Sequence, residues 1–481
     1  MPNSSVREES LDDKIKRCFG DVAFPKGVGV SIGLRDGRNI PSYVEEWLVS
    51  RYSGGSGTID DDARTRMFTF LRDHLPSKGE KEALKHRLVN GEQVTIFDSF
   101  EASVHLASGE RRVKVRCIDV DDALIDPAII DEYPQLVSGN MWGAGRLAYE
   151  ELSSRRRIRL VAFQPMQVGK IDIGMFKEQR SSFSTSEWRA LLIRSMGNSP
   201  DYYSPASQDI LLQRLIPFVQ PRVNLMELAP KGTGKSFVYV NLSRYCWVVS
   251  GGIITPASLF YNNATRAAGL LTRFDTVVLD EGQSIRFPDP AEMAGPLKVY
   301  LEAGEFTRGN TRATADASFV ILANIETRFD KPARRDYIRD LAGIFDESAV
   351  LDRFHGIIPG WQVPRFSRQA IAHGMGLKAD FIGEVFRELR NDVEFMAYIR
   401  DRIEVSGDQR DATAVERIAT ALLKLYFPDL RVNAQEFEQV CLVPAIAMRQ
   451  RIREQLSEID PGSFRDRPMA KFSIRPSGFS T

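Results

Sequence analysis

The segment with the clearest chemistry is a glycine-containing loop near the middle of the chain, Ala229-Pro-Lys-Gly-Thr-Gly-Lys-Ser236. It follows a predicted strand and opens a predicted helix, which is the setting that a phosphate-binding loop (Walker A) requires. Its glycines let successive backbone N–H groups point at phosphate oxygens, and the start of the helix adds a positive dipole end. The pattern predicts nucleotide binding by Pro230, Lys231, Gly232, Thr233, Gly234, Lys235 and Ser236.

Within this loop, Lys235 is expected to reach the β- and γ-phosphates and Ser236 to bind Mg²⁺. Ala229 stands where the usual pattern has its first glycine, which is a mild departure. A chance match in a glycine-containing turn is the alternative, and the order of strand, loop and helix argues against it. ATP and Mg²⁺ are therefore the expected cofactors.

A second candidate segment is Phe274-Asp-Thr-Val-Val-Leu-Asp280-Glu281, an apolar strand that ends in two acids. This matches the Walker B arrangement, in which Asp280 holds Mg²⁺ through water and Glu281 orients the attacking water. Apolar strands often end in acids at a solvent face, so the segment alone indicates little. The stretch between it and the Walker A loop has room for a helix and a strand, which favours the catalytic interpretation.

Two residues further along are predicted to act on the nucleotide. Asn324 ends the apolar run 319–324 at the sensor position of AAA+ ATPases, with an ordinary Asn turn at a strand end as the alternative. Arg353 stands after a predicted helix and just before a fifth strand, which suits an arginine finger that serves the neighbouring subunit. A surface ion pair with Asp352 or a helix carboxylate is the alternative for Arg353.

The last predicted helix, over about 443–456, offers a candidate second sensor. Arg449 is the first choice for this contact with the nucleotide. Arg451 and Arg453 on the same helix compete for the role.

Two basic segments are candidates for contact with DNA. Residues 302–313 could form a hairpin in a central pore, with Arg308 and Arg312 near its tip, or an exposed turn with incidental arginines. The second segment could be a phosphate-binding patch or a solvated strand edge. It contains the consecutive residues Arg155, Arg156 and Arg157.

The elements that must position these residues predict a multidomain α/β fold in five parts. Residues 1–90 have helical periodicity, and 91–180 alternate with a period of two, which indicates a β-rich domain with an OB-type barrel as one option. Residues 181–370 contain an AAA+ core with leading helices, 371–460 a helical lid, and 461–481 a tail. Ser184 and Glu187 have the spacing of a capping box at a helix start.

Within the predicted core, apolar runs alternate with amphipathic helices. This alternation is typical of a parallel sheet with helices on both faces. The expected strands cover residues 223–228, 247–250, 276–279, 319–322 and 355–358.

Composition bounds the remaining possibilities. The chain has 481 residues, 43% of them apolar, which is too many for a mostly disordered protein. Lys plus Arg and Asp plus Glu both number 64, so any site for a polyanion must be a local patch. The four cysteines and five histidines are scattered, which predicts neither a zinc site nor a disulfide framework and favours the reducing cytoplasm. No apolar run approaches the ~18 residues of a membrane span, so no membrane partner is expected.

Several segments beyond the ATPase motifs carry a resemblance to one family. On these segments the chain resembles the BrxL family, Lon-related AAA+ proteins of BREX phage-defence systems, over most of residues 90–460. The first ninety residues agree in pattern more than in motif. The segments are 183–197, 214–217, 249–252, 259–262, 304–309, 352–355 and 359–361.

The resemblance implies an N-terminal DNA-associated region, an AAA+ core and a helical lid. It also implies homo-hexameric rings, single or paired as a double hexamer, around duplex DNA, with other BREX components as possible further partners. Longer members carry a C-terminal Lon-type protease-like domain. Only 21 residues follow Asp460 here and a domain needs at least ~50, so no peptidase is expected in this chain, whether it is naturally short or truncated.

These observations predict a ring-forming ATPase that binds duplex DNA, acts in antiviral defence and hydrolyses ATP at subunit interfaces. A remodeller that threads polypeptides is one alternative. Its pore loop would offer an aromatic and apolar pair, whereas the predicted hairpin has Phe306 beside Arg308, which favours a polyanion. An ATP-gated DNA clamp without translocation is the other alternative.

Overall fold

The computed structural model divides the chain into two compact units. One unit is Val28–Lys170, and the other combines Met1–Gly27 with Ile171–Thr481. The finer five-part division stays a prediction. The structure describes residues 9–35, 38, 40–54, 57–105, 108–137, 139–152, 155–166, 171–264, 266–309, 311–341 and 343–479.

The strands of three residues or more within those ranges are β1 (Ala23–Pro25), β2 (Val94–His105), β3 (Glu110–Val115), β4 (Val120–Ile125), β5 (Met141–Leu152), β6 (Arg155–Pro165), β7 (Leu225–Ala229), β8 (Cys246–Ser250), β9 (Thr276–Asp280), β10 (Glu305–Arg308), β11 (Thr311–Thr314), β12 (Ser318–Asn324), β13 (Gly356–Pro359), β14 (Met375–Leu377), β15 (Ile403–Ser406) and β16 (Lys471–Ile474). The α-helices of six residues or more are α1 (Leu11–Phe19), α2 (Ser42–Tyr52), α3 (Asp61–His74), α4 (Lys81–Val89), α5 (Pro127–Glu132), α6 (Ile173–Gln179), α7 (Thr185–Ser195), α8 (Pro205–Gln213), α9 (Lys235–Asn241), α10 (Pro290–Ala303), α11 (Ala379–Asn391), α12 (Glu394–Arg402), α13 (Gln409–Tyr426) and α14 (Val443–Ile459).

The smaller unit is built around a closed barrel of strands β2 to β6. β2 pairs with β3 and β5, β3 with β4, and β5 with β6, all antiparallel, while the β4–β6 pair is parallel. Mostly aliphatic side chains fill the interior together with Phe100 and Phe163, and a side chain on Gly145 would lie 2.2 Å from the buried ring of Phe100. The classification of this barrel as OB-type stays a prediction.

The larger unit contains a parallel sheet with the strand order β13-β7-β12-β9-β8. All five predicted strands are present within three residues of their expected ends. β7 is buried throughout, because covering helices leave a parallel strand no solvent face. The parallel sheet with its helices confirms the predicted α/β class.

The segment after β13 is mostly helical, with α13 and α14 as its longest members and a π-helical turn, Phe437–Leu442, before α14. α14 packs directly on β13, since a side chain on Gly356 would lie 2.8 Å from Cβ of Met448. The function of these helices as a lid stays a prediction. None of the helices in the described part of the chain is both long and apolar enough to cross a bilayer.

Candidate nucleotide-binding site

The loop between β7 and α9 has the backbone that phosphate binding requires. Gly232 and Gly234 have φ angles of 84° and 70°, in the left-handed region that disfavours residues with a Cβ. No atom lies within 4 Å of the position that a Cβ on Gly232 would take, so a ligand can approach the backbone there. α9 then begins at Lys235 directly after the left-handed Gly234, and its first N–H groups face the loop.

Four of the predicted residues meet at the carboxyl edge of the sheet. Lys235 Nζ donates to Asn324 Oδ1 at 2.6 Å, and Ser236 Oγ donates to Asp280 Oδ2 at 2.6 Å. The cause is strand register, because Asn324 at the end of β12 pairs with Ala229 at the end of β7. Parallel strands bring their carboxyl ends to one edge, where α/β proteins bind ligands.

Glu281 lies at the same edge in a strained conformation. Its φ of 55° is left-handed, which costs a residue with a side chain about 1 kcal/mol. Its backbone N–H donates to Asp280 Oδ1 at 2.8 Å, and its side chain is exposed. Gly251 leaves room for this side chain, since a Cβ there would lie 3.1 Å from Glu281 Oε2. The two acidic side chains therefore point in different directions, that of Asp280 toward the loop and that of Glu281 toward solvent.

The electrostatics of Lys235 suit a phosphate ligand. Burial lowers the pKa of this ammonium from its usual value, while the nearby carboxylates of Glu227 and Asp280 act in the opposite direction. A buried cation that has lost most of its hydration is stabilised more by an approaching anion than an exposed cation is.

A magnesium ion would fit beside Ser236 and Asp280. Their hydroxyl and carboxylate oxygens converge, and hard cations such as Mg²⁺ prefer oxygen ligands. Across the described residues, the structure contains no group of three or more His, Cys, Asp or Glu side chains placed to hold a metal. Mg²⁺ commonly binds through one or two protein oxygens together with nucleotide phosphates, and this pair matches that pattern.

Sequence reasoning missed a buried ion pair under the loop. Arg214 Nη2 donates to Glu227 Oε1 at 2.6 Å and to the carbonyl oxygen of Thr233 at 3.3 Å. Both side chains are buried, and Gly360 makes room, because a Cβ there would lie 2.7 Å from Glu227 Oε1. The available signal was an acid inside the apolar strand Leu-Met-Glu-Leu-Ala. The pair ties the loop to its supporting strand.

The predicted arginines lie away from this edge. Arg353 Nε donates to Glu302 Oε2 at 2.8 Å, three residues before β13 begins. Arg449 is 1% exposed and donates to Asp352, Asp411 and the carbonyl oxygen of Phe354 of its own chain. A contact of either arginine with nucleotide stays a prediction.

Comparison with known proteins agrees with the resemblance found in the sequence. The family described as "Lon-like protease BrxL-like, ATPase domain" matches residues 158–470, and "BREX system Lon protease-like protein BrxL N-terminal" matches residues 17–149. The first match alone covers more than half of the chain. The chain belongs to the BrxL family.

Two curated relatives named "Lon-like protease BrxL" extend this result. The protein from Escherichia coli O9:H4 (strain HS) is 30% identical over 439 residues, which is 90% of this chain and 63% of the relative. The protein from Bacillus cereus (strain H3081.97) is 29% identical over 466 residues, which is 95% of this chain and 68% of the relative. The chain thus spans about two thirds of the length of these BrxL proteins.

The residues predicted to contact DNA are distributed over both units. β10 and β11 form the predicted hairpin, with Arg308 near Glu292 (3.4 Å) and Arg312 donating to Glu305 at 2.7 Å. In the barrel, Arg157 Nη1 donates to Glu110 Oε1 at 3.1 Å. The side chains of Arg155 and Arg156 lie outside the described residues. DNA contact by this BrxL-family chain stays a prediction.

Proposed function

We propose that this member of the BrxL family is a ring-forming AAA+ ATPase that binds duplex DNA and acts in BREX-type defence against phage in the cytoplasm. The observation that carries the proposal is the convergence of Lys235, Ser236, Asp280 and Asn324 at one edge of the sheet. Family membership supports the ATPase activity and the defence role. The protease in the relatives' names is a property stated of those proteins.

Within one subunit, the side chains divide the work of hydrolysis. The loop amides and Lys235 would bind the phosphates, and Asn324 would release Lys235 to them and contact the terminal phosphate or its water. Mg²⁺ beside Ser236 and Asp280 supplies charge neutralisation at the phosphates when bound. Glu281, held apart by its left-handed backbone, orients the attacking water and accepts its proton.

The position of Arg353 supports an assembly in which subunits share sites. β13 begins at Gly356, which pairs with Leu225, the first residue of β7, whereas the phosphate-binding loop follows Ala229 at the other end of that strand. Five residues of strand separate the two edges by about 15 Å, which a single Arg side chain does not span. This separation supports the proposal that Arg353 serves the nucleotide of another copy.

The hairpin favours DNA over a polypeptide as the ligand of the ring. Phe306 is 1% exposed and packs on Phe260, with ring centroids 5.1 Å apart, so it is no aromatic anchor for a threaded peptide. Arg312 at the other strand is exposed and available to phosphates. A remodelling function consequently lacks the side chain it would need on this hairpin.

The test combines turnover, particle images and DNA binding. Lys235→Ala should abolish ATP hydrolysis, while Lys85→Ala on a barrel-unit helix should match the parent protein. Images with a slowly hydrolysed nucleotide and duplex DNA should show rings threaded by the duplex, and the affinity for DNA should fall steeply with salt. A sample that stays monomeric and has no affinity for ATP with magnesium would refute the proposal.

A further inference from the structure

Arg353 shares its carboxylate partner with a second arginine. Glu302 accepts a hydrogen bond from Arg353 Nε at 2.8 Å and from Arg410 Nη2 at 3.1 and 3.2 Å. Arg410 also donates through Nη1 to Asp352 Oδ2 at 2.8 Å. One carboxylate thus holds two guanidinium groups side by side, although the three residues come from different parts of the chain.

This group lies at the surface. The side chains of Arg353, Arg410 and Glu302 are 18%, 40% and 46% exposed. Directly behind them the ion pair of Arg449 with Asp411 is fully enclosed. An anion from outside can reach the outer two arginines, whereas the inner pair serves the packing of α13 and α14 on the sheet.

Arg410 and Glu302 lie at helix ends whose dipoles disfavour their charges. Arg410 lies in the first turn of α13, next to the positive end of its dipole, and Glu302 lies in the last turn of α10, next to a negative end. Each placement is destabilising, because the charge lies beside a dipole end of the same sign. Partial burial acts to raise the pKa of Glu302, but Arg410 and Arg353 outweigh burial and the net pKa is lowered, so the carboxylate is charged at neutral pH.

We propose that Arg353 and Arg410 together form an anion site for the terminal phosphate of a nucleoside triphosphate bound to an adjoining copy of this chain. Glu302 is the positioning residue that keeps the two guanidinium groups together until that phosphate arrives. Paired planar guanidinium groups match the several oxygens of a phosphate better than one does. This inference rests on the proposed function, since an adjoining copy must supply the nucleotide.

Subunit mixing tests the site. Arg410→Gln subunits keep an intact phosphate-binding loop, and Lys235→Ala subunits keep an intact pair of arginines. Each variant alone should hydrolyse little ATP. Their mixture should be several-fold more active than either variant alone, because some mixed interfaces combine an intact phosphate-binding loop with an intact pair of arginines. Size measurements must show that the two variants co-assemble.

A parallel mixture separates this inference from the proposed function. Arg353→Gln mixed with Lys235→Ala should recover activity in the same way. If that mixture recovers and the Arg410→Gln mixture does not, Arg410 is no part of a shared site and the inference is wrong. If neither recovers despite co-assembly, shared sites are refuted, and the inference falls with them.

Conservative variants keep the test valid if Arg410→Gln folds poorly. Arg410→Lys retains the charge but not the fork, and it should lower kcat with little change in KM. Glu302→Gln should lower kcat, and Glu302→Asp should restore part of it at an unchanged melting temperature. The matched control is Arg400→Gln, which removes an exposed arginine paired with Glu416 and should leave kcat unaltered. Parent-like kcat in Arg410→Lys and Glu302→Gln would overturn the proposal.

Discussion

The two edges of the parallel sheet differ in how their charged side chains are paired. At the carboxyl edge, Lys235 and Ser236 at the start of α9 donate to Asn324 at the end of β12 and Asp280 at the end of β9. At the amino edge, Arg353 and Arg410 share the carboxylate of Glu302, and Arg410 also donates to Asp352. The first edge gathers residues predicted to bind a nucleotide and Mg²⁺, and the second edge gathers two arginines around one carboxylate. This difference supports the proposal that one copy binds the nucleotide while another copy supplies the arginines.

The chain just after Arg353 is anchored to the start of β7. The backbone carbonyl oxygen of Asn224, just before β7, accepts a hydrogen bond from the backbone N–H of His355 at 2.8 Å. The backbone N–H of Asn224 donates to His355 Nδ1 at 2.9 Å. Burial lowers the pKa of His355 well below its usual value, so its ring is a neutral acceptor. Arg353, two residues earlier, therefore starts from a fixed point on the sheet.

The largest expected effect is on turnover, from a substitution confined to the carboxyl edge. Glu281→Gln should lower kcat by about a hundred-fold or more, because the amide cannot accept the proton of the attacking water. Nucleotide binding should persist, since Lys235 and Ser236 are untouched. Turnover under saturating ATP and equilibrium binding of a labelled nucleotide measure the two effects. The control Glu404→Gln alters an exposed carboxylate on β15 and should change neither quantity. Parent-like turnover of Glu281→Gln would contradict the assignment.

An intermediate effect is expected on stability, from removing the buried ion pair beneath the carboxyl edge. Arg214→Met should reduce the free energy of unfolding by about 3–5 kcal/mol, because it leaves Glu227 buried without a partner. The control Arg189→Met removes an arginine from a more exposed pair with Asp209 and should cost less than about 1 kcal/mol. Urea unfolding measures both values.

The double variant Arg214→Met with Glu227→Met separates stability from binding. It should regain most of the lost stability, since an apolar pair can replace a buried ion pair. It should still bind nucleotide more weakly than the parent, because the carbonyl of Thr233 has lost its donor. Parent-like affinity in the double variant would show that the ion pair does not position the loop.

The smallest expected effect concerns the helix that carries Arg410. Lys424 lies near the other end of α13, is buried, and donates to the carbonyl oxygens of Val219 and Arg390. Burial lowers its pKa to about 7, while Asp392 raises it and Arg390 and Lys177 lower it further. The unfolded chain has the higher pKa and binds more protons above pH 7. The contribution of Lys424 to stability therefore rises from pH 7 toward 10.

Comparison with Lys424→Met isolates this contribution. The stability of the parent relative to Lys424→Met should increase with pH by up to about 1.4 kcal/mol per unit, because only the parent has the titrating amine. Urea unfolding at pH 7, 8 and 9 provides the measurement, and groups common to both proteins cancel. A difference that is constant over this range would show that the amine stays protonated in the folded chain.

Local sequence signals predicted much of the architecture and one edge of the sheet. The alternation of apolar runs and helices predicted five parallel strands, and the spacing of Ser184 and Glu187 predicted the capping box that the structure contains. Motifs at strand ends predicted residues that the structure brings together, because all parallel strands end at the same edge. These features depend on neighbours in sequence or on a general rule of sheet geometry.

The amino acid sequence by itself determined the family, the parallel sheet and the loop over residues 229–236 that is predicted to bind phosphate. Only the tertiary structure decided that Arg214 and Glu227 pair beneath that loop, and that Glu302 holds Arg353 and Arg410, which are 51 and 108 positions away from it. A hydrogen bond depends on distances of about 3 Å in space. Residues far apart in the chain reach that distance only through the packing of whole elements, which no local pattern of residue types records.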